Sequence, residues 1–366
     1  MSSLRPTWVE VDLDAVRHNV RALKPEEVEL MAVVKADAYG HGAVAVAGAA
    51  LEAGATWIGV ALVEEGLRLR EAGIEAPILV LSEFPPGSEL LAIAAGLTPS
   101  LYSDPALARL SEAASGREIG VHVKVDTGMH RAGVYPPEAT KAFVDRVASR
   151  GLRIGALWTH FASSSEDEKT TLVQLERFIA VVEEVRDAGH APAILHTANS
   201  GATILYPETH LDLVRTGIAM YGLEPAPGVA DGLGLRPALT WRSKVAATRR
   251  LPAGERVSYG HRYLLEHDAN VATVPVGYAD GYPRILSSRA DVLIRGHRCR
   301  VAGSVTMDQL IVDCGDVPVE PGDDVVLLGR QGDEAITAEE LAIQADTIGY
   351  EIVTGIGARV PREHVA

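Results

Sequence analysis

The sequence predicts an α/β protein: a (β/α)8 barrel followed by a mostly β C-terminal domain. Three observations predict it. From residue 30 to about 217, eight short apolar runs alternate with Ala-rich or amphipathic stretches of helical length, the rhythm of parallel strands joined by helices. No GxGxxG follows the first of these runs, so an open doubly wound sheet, the structural alternative, lacks its usual dinucleotide fingerprint. Beyond a stretch marked by Pro225, Pro227, Gly228, Gly232, Gly234 and Pro237, the period changes to strand-like runs separated by glycine turns.

In chain order, TWVEVD at 7–12 alternates and reads as a strand joining the β-domain, so residues 1–10 are assigned there, 11–230 to the barrel and 231–366 to the β-domain. The barrel strands are expected over 31–34, 56–61, 78–81, 97–102, 119–125, 154–158, 193–195 and 211–214. In the β-domain, TWRSKVAATRRL, NVATVPVGYAD, DVLIRG, RVAGSVTMDQLIVDCG and DDVVLLG read as strands. A helix is expected over 338–348, with Thr337 as N-cap and Glu340 completing a capping box.

Composition narrows the function. Thirty-four Lys and Arg against 49 Asp and Glu give a net charge of −15, which argues against nucleic acid as the main partner. No stretch approaches the ~20 apolar residues of a membrane span, and the first residues lack the order of a secretory signal. A cytoplasmic protein is therefore expected. Cys299 and Cys314 form no metal spacing, and the 12 histidines contain no HExxH pattern, so no metal is expected.

The chemistry centres on MAVVKADAYGHG, where an apolar run ends on Lys35 and Tyr39 follows. A lysine closing a buried strand is out of place, and desolvation raises its share of nucleophilic amine, as a Schiff-base lysine requires. Barrel enzymes gather their sites at the carboxyl ends of the strands. Those ends carry Lys35 and Tyr39; Lys124, Asp126 and the loop to Arg131; Trp158 and His160; His196, Asn199 and Ser200; and Arg215, Gly217 and Ile218. Core packing does not account for so many polar residues at one rim. SerGly at 200–201 and GlyIle at 217–218 are expected to offer free backbone N–H groups to a phosphate. A Schiff-base lysine facing a phosphate cradle points to pyridoxal 5′-phosphate.

The stretches AVVKADAYGHG, VKVDTGMHRAG, HTANSGA, DLVRTGIAMYG, VSYGHRY, VGYADGY and TMDQ resemble, in order and nearly end to end, the motifs of the barrel-type alanine racemases of the pyridoxal phosphate enzymes. The resemblance implies interconversion of L- and D-alanine by two bases, supplying D-alanine for peptidoglycan. Lys35 would carry the cofactor and act on one face of the substrate; Tyr259, from the second subunit of a homodimer, would act on the other. His160 would lie beside Tyr259, Arg215 would contact the pyridine nitrogen, and His196 would orient Arg215. Tyr39, Ser200, Gly217, Ile218 and Tyr350 resemble the phosphate contacts, with Asn199 beside them. Arg131 and the backbone of Met307 from the partner would hold the substrate carboxylate. Lys124 matches a position that relatives carbamylate, seven residues before Arg131.

The chain departs from the family pattern at Ser165, Ser304 and Thr306, where relatives often carry an acid, an arginine and a cysteine; the first two imply a less charged entrance. Other readings are a racemase of serine or of a broader set of amino acids, a related decarboxylase, disfavoured by Arg215, and a non-catalytic pyridoxal phosphate carrier, disfavoured by the β-domain.

Overall fold

A computed structural model describes residues 5–366. The chain forms two compact units, one built from residues 16–38 and 43–236, the other from the N-terminal segment to residue 15, residues 39–42 and residues 237–366. Residues 1–4, assigned above to the β-domain, lie outside the described residues.

β1 (Thr7–Asp12) belongs to the second unit. The first contains β2 (Glu29–Val33), β3 (Trp57–Val60), β4 (Ile78–Val80), β5 (Leu97–Leu101), β6 (Gly120–Lys124), β7 (Arg153–Trp158), β8 (Ile194–His196) and β9 (Leu213–Thr216). They form one parallel sheet in the order β8-β7-β6-β5-β4-β3-β2-β9. Its two ends meet: Asp212 N donates to Leu195 O and Arg215 N to Ala198 O, each at 3.1 Å, and Leu195 N donates to Asp212 Oδ2 at 2.7 Å. The sheet is thus a nearly closed eight-stranded barrel, and the open-sheet alternative falls. Residues such as Leu30, Met31, Ala32, Ile58, Ile78 and Leu79 are completely buried, which explains why these strands read as continuous apolar runs. Their side chains contribute roughly 1.5–3 kcal/mol each where large.

Side chains start the intervening helices. Ser103 Oγ accepts from Ala106 N with Pro105 in the first turn, Asp167 Oδ1 accepts from Thr170 N at 3.0 Å, and Asn199 Oδ1 accepts from Ala202 N at 3.1 Å. Each satisfies an amide that the helix leaves unpaired. No helix among the described residues is long and apolar enough to cross a membrane.

The second unit adds β10 (Leu239–Lys244), β11 (Ala247–Leu251), β12 (Arg256–Val257), β13 (Tyr263–Leu264), β14 (Ala269–Val274), β15 (Asp291–Ile294), β16 (His297–Val301), β17 (Leu310–Asp313), β18 (Asp324–Gln331), β19 (Glu334–Ile336) and β20 (Arg362–Val365). The main sheet runs β11-β14-β17-β16-β15-β18-β10-β1-β20, with β19 beside β18. β1 pairs antiparallel with β10 and parallel with β20. β12 and β13 form a separate hairpin.

One helix differs from its expected form. It spans Ala338–Ala345 and stops because Asp346 turns left-handed; a second helix, Gly349–Thr354, follows. Thr337 Oγ1 accepts from Glu340 N at 3.1 Å, but the Glu340 carboxylate does not complete the capping box. It accepts instead from Arg298 Nη1 at 2.6 Å and Nη2 at 3.0 Å, a charge-assisted pair that outcompetes a neutral backbone amide.

Candidate active site

Lys35 leaves the carboxyl end of β2, just after Val34 N donates to Gly59 O at 2.8 Å in the last rung with β3. Burial, with the Arg131 charge adding to it, holds the Lys35 amine below the ordinary lysine range; Glu65 opposes both. Fewer protons on the amine means more nucleophile and more base. The next residues run left-handed: Ala36, Asp37 and Ala38 lie at φ 53 to 55° and ψ 48 to 50°, and Tyr39 at φ 53°. For L-residues this costs roughly 1–2 kcal/mol each, so the turn persists only where its surroundings hold it.

Lys124 closes β6 and is 5% exposed. Its Nζ lies 4.5 Å from the centre of the Trp158 ring. Burial, then the charges of Arg131 and Arg215, push its pKa down to about 8. The loop that follows is an excursion pinned at its base: Val134 N donates to Lys124 O at 2.8 Å and Asp126 N to Val134 O at 3.0 Å. Asp126 Oδ1 accepts from Gly128 N and His130 N, both at 3.0 Å. Gly133 allows this closure, since it has φ +141° and a Cβ there would sit 2.5 Å from Asp126 N. Arg131, at the exposed tip, is thereby brought into the field of Lys124 and Lys35.

Arg215, on β9, is 3% exposed. Its Nη1 donates to His196 Nδ1 at 3.0 Å. Its Nη2 donates to Thr159 O and Thr197 O, both at 2.9 Å, and to His160 Nδ1 at 3.3 Å. Burial pushes its pKa down to about 9, still above neutrality, so it stays a cation and a donor. Because a guanidinium only donates, His196 accepts at Nδ1 and carries its proton on Nε2, which faces His122 Nδ1 at 3.1 Å. Trp158 stacks on His196 at 5.4 Å and 8°. Burial and the Arg215 charge hold His160 and His196 well below the ordinary histidine range. Burial, with Arg153 and Arg215, takes His122 to about 3. Arg215 meets two neutral imidazoles directly and a third through His196, with no carboxylate partner among the described residues.

The expected phosphate cradle needs one correction. Gly217 N is not free: it donates to Ser200 Oγ at 2.9 Å, tying the loop after β9 to the helix Ser200–Leu205. A closing barrel brings the two loops together, and a buried amide takes the nearest acceptor. Ile218 opens the turn Ile218–Tyr221, so its N–H has no acceptor within that turn. Asn199 is occupied in capping the helix and accepting from Ser164 Oγ at 2.6 Å. The half-buried Ser165 leaves no room for a side chain at Gly201, where a Cβ would lie 2.3 Å from its Oγ.

In the second unit, the rings of Tyr39 and Tyr350 lie 6.2 Å apart. Burial raises both phenols, Tyr350 to about 12 and Tyr39 further, so both stay neutral donors. Tyr259 sits at the tip of the β12–β13 hairpin and is 76% exposed. Its turn is fastened on either side. Ser258, at φ 66°, donates from Oγ to Ser304 O at 3.0 Å, and Tyr263 Oη donates to Asp313 Oδ2 at 2.9 Å. Ser304 is 5% exposed, so it underlies the Tyr259 turn. Met307 is 53% exposed on a loop held by Tyr278 N to Thr306 O and Ala279 N to Met307 O, each 3.0 Å; Thr306 Oγ1 donates to Gln309 O at 2.8 Å.

Lys35, Lys124, Arg131 and Arg215 thus concentrate positive charge at one end of the barrel of an acidic chain. No ion pair joins any of them to a carboxylate among the described residues. The donor set fits an anion that carries a phosphate and reacts with an amine, and Trp158 Nε1, buried without an acceptor, leaves polar capacity there. Two residues of the site were not legible as such. His122 had a usable signal: it precedes Lys124 by two on one strand, and therefore shares its face. Glu65 had none, since its partner Ala36 lies 29 residues away.

Comparison with known proteins agrees along the whole chain. The family described as alanine racemase, N-terminal domain, matches residues 11–225, and the corresponding C-terminal domain matches residues 238–364. An alanine racemase of Symbiobacterium thermophilum is 52% identical over 99% of this chain and 98% of its own. The crystal structure of the alanine racemase from D-cycloserine-producing Streptomyces lavendulae matches with a TM-score of 0.94 and 44% identity, covering 100% of this chain and 98% of that one. A histidine racemase from Leuconostoc mesenteroides matches with a TM-score of 0.91 and 30% identity over 100% and 99% of the two chains.

Proposed function

The chain belongs to the alanine racemase family and interconverts L- and D-alanine; on that footing we propose that it moves the α-proton between two bases on opposite faces of the substrate. Lys35 is the base on one face and the lysine that carries pyridoxal 5′-phosphate. Tyr259 of a second copy is the base on the other, and its exposed phenol at the tip of a fastened hairpin supports this. Pyridoxal 5′-phosphate, when bound, supplies the electron sink that makes the α-proton acidic.

The chain's own residues set how that sink works. Arg215 would donate to the pyridine nitrogen, and a guanidinium held by neutral histidines and carbonyls does not surrender a proton to it. His160 and His196 hold Arg215 in place. Ser200, Ile218, Tyr39 and Tyr350 would bind the phosphate by donating hydrogen bonds, and Gly217 supports Ser200. Arg131 and the Met307 amide of the second copy would orient the substrate carboxylate. A carbamate on Lys124 would give Arg131 the anionic neighbour that it lacks. The enzyme would act in the cytoplasm and feed D-alanine to cell-wall synthesis.

The observation that carries this reading is the lowered Lys35 amine on the rim that holds the carboxylate-free Arg215. The test is chiral analysis of L-alanine incubated with the protein and with Lys35→Ala and Tyr259→Phe. Racemisation by the parent and loss in both variants is expected; racemisation by Lys35→Ala would end the assignment. The likeness to a histidine racemase makes a broader amino acid range the second reading, decided by running serine and histidine alongside alanine.

A further inference from the structure

We propose that Glu65 is a positioning residue for Lys35: one carboxylate oxygen caps a helix while the other fastens the left-handed turn from which the lysine projects. This role rests on the assignment of Lys35 made above.

Glu65 is the third residue of the helix Val63–Glu71. Its Oε2 accepts from Ala61 N at 2.8 Å and Leu62 N at 3.1 Å, the ordinary duty of an acid in a first helical turn. Capping is complete with that oxygen. Oε1 points elsewhere and accepts from Ala36 N at 2.7 Å. Ala36 is the first residue after Lys35 and the first of the four left-handed residues.

Neither Ala36 nor Ala38 has a side chain that could compensate for that backbone, so the turn depends on external fasteners. Two further hydrogen bonds act on it: Ala38 N donates to Val34 O at 2.8 Å, and Asp37 Oδ1 accepts from Ala43 N at 2.9 Å. Both bind the turn to its own flanks. Glu65 ties it to the next β/α junction of the barrel, and so sets the direction in which the chain leaves β2. The same carboxylate is the anion whose field opposes the loss of charge on the Lys35 amine.

Glu65→Gln separates the two duties. The amide oxygen can keep the cap, leaving an NH2 group facing the Ala36 N–H, donor against donor. In the holoenzyme, hydrogen–deuterium exchange of the amides at 36–39 should speed about tenfold while the helix 63–71 stays protected. The value of kcat should fall about 10²-fold with KM nearly unchanged, and the pH limb that belongs to Lys35 should move to lower pH. Glu64→Gln, which removes an exposed charge one residue away, should change none of these. Unchanged exchange at 36–39, or faster exchange confined to 63–71, would overturn the proposal. If Glu65→Gln does not fold, Glu65→Asp keeps the charge but is one methylene too short to span both sites. It should loosen the turn without moving the pH limb, and an unaltered turn would again defeat the idea. Racemisation by Lys35→Ala would remove the Lys35 assignment instead, while the exchange measurement would still decide whether Glu65 holds the turn.

Discussion

Arg215 donates to Nδ1 of His196 at 3.0 Å, and this one bond sets the protonation of a buried chain that ends at His122. A donor-only guanidinium forces the His196 proton onto Nε2, and that proton goes to His122 Nδ1. Neutrality of both rings is therefore a condition of the fold.

That condition makes stability depend on pH. The folded pKa of His122 is about 3 and that of His196 lies well below its ordinary value, whereas both titrate near 6.5 when unfolded. Between these limits the unfolded chain binds more protons than the folded one, so stability is present above pH ~6.5 and falls as pH drops toward about 3. Each ring adds a slope of up to about 1.4 kcal/mol per pH unit. Urea unfolding from pH 7 to 5 should show it, and His122→Gln should lessen the slope by one proton. An unchanged slope would mean that His122 is not neutral in the fold.

If the active sites are shared, two inactive enzymes should restore each other. Lys35→Ala and Tyr259→Phe homodimers, mixed, dissociated and reassembled, should regain racemisation, because half of the sites in each hybrid bring together an intact Lys35 and an intact Tyr259. Tyr259→Phe alone should lose about 10²–10⁴ in rate, the usual worth of a positioned base, and Lys35→Ala, which gives up the cofactor's amine as well, should show no racemisation. Tyr259→Phe should keep its Tm, since the side chain is 76% exposed. No recovery on mixing would argue that each site is built from one chain.

Gly303 controls the Tyr259 hairpin from beneath. It has φ +80°, and a Cβ there would lie 2.5 Å from Ser258 Cβ. Gly303→Ala should displace the Ser258–Tyr259 turn and reduce kcat about 10²-fold, leaving cofactor absorbance intact. Equal kcat in variant and parent would show that the turn's placement is not critical.

Lys124, at a pKa of about 8, holds an appreciable fraction of free amine near neutrality and can add carbon dioxide. Native mass measurement in bicarbonate should detect one added carbon dioxide, absent in Lys124→Ala, and carbon dioxide-free buffer should weaken substrate binding by about tenfold. A bare lysine with full activity would remove the carbamate from the site.

Much of the molecule was written in local pattern. Runs such as Met31 to Val34 are apolar because both faces of a barrel strand are buried, and period survives without any knowledge of partners. Lys35, Lys124, His160, His196 and Arg215 were readable because each ends or follows such a run, and position along a strand places a side chain at the rim. MAVVKADAYGHG and the motifs after it carried the family resemblance.

Closure of the barrel decided the rest. Whether Gly217 N is free depends on Ser200, 17 residues away, and whether Glu340 caps its helix depends on Arg298, 42 residues away. The bonds of Glu65 to Ala36 and of His122 to His196 likewise join separate β/α units. Sequence by itself determined that Lys35, Lys124, His160, His196 and Arg215 stand at strand ends, since burial and period act locally. Tertiary structure alone decided which donor meets which acceptor, because a hydrogen bond requires about 3 Å between groups that only the closed sheet brings together.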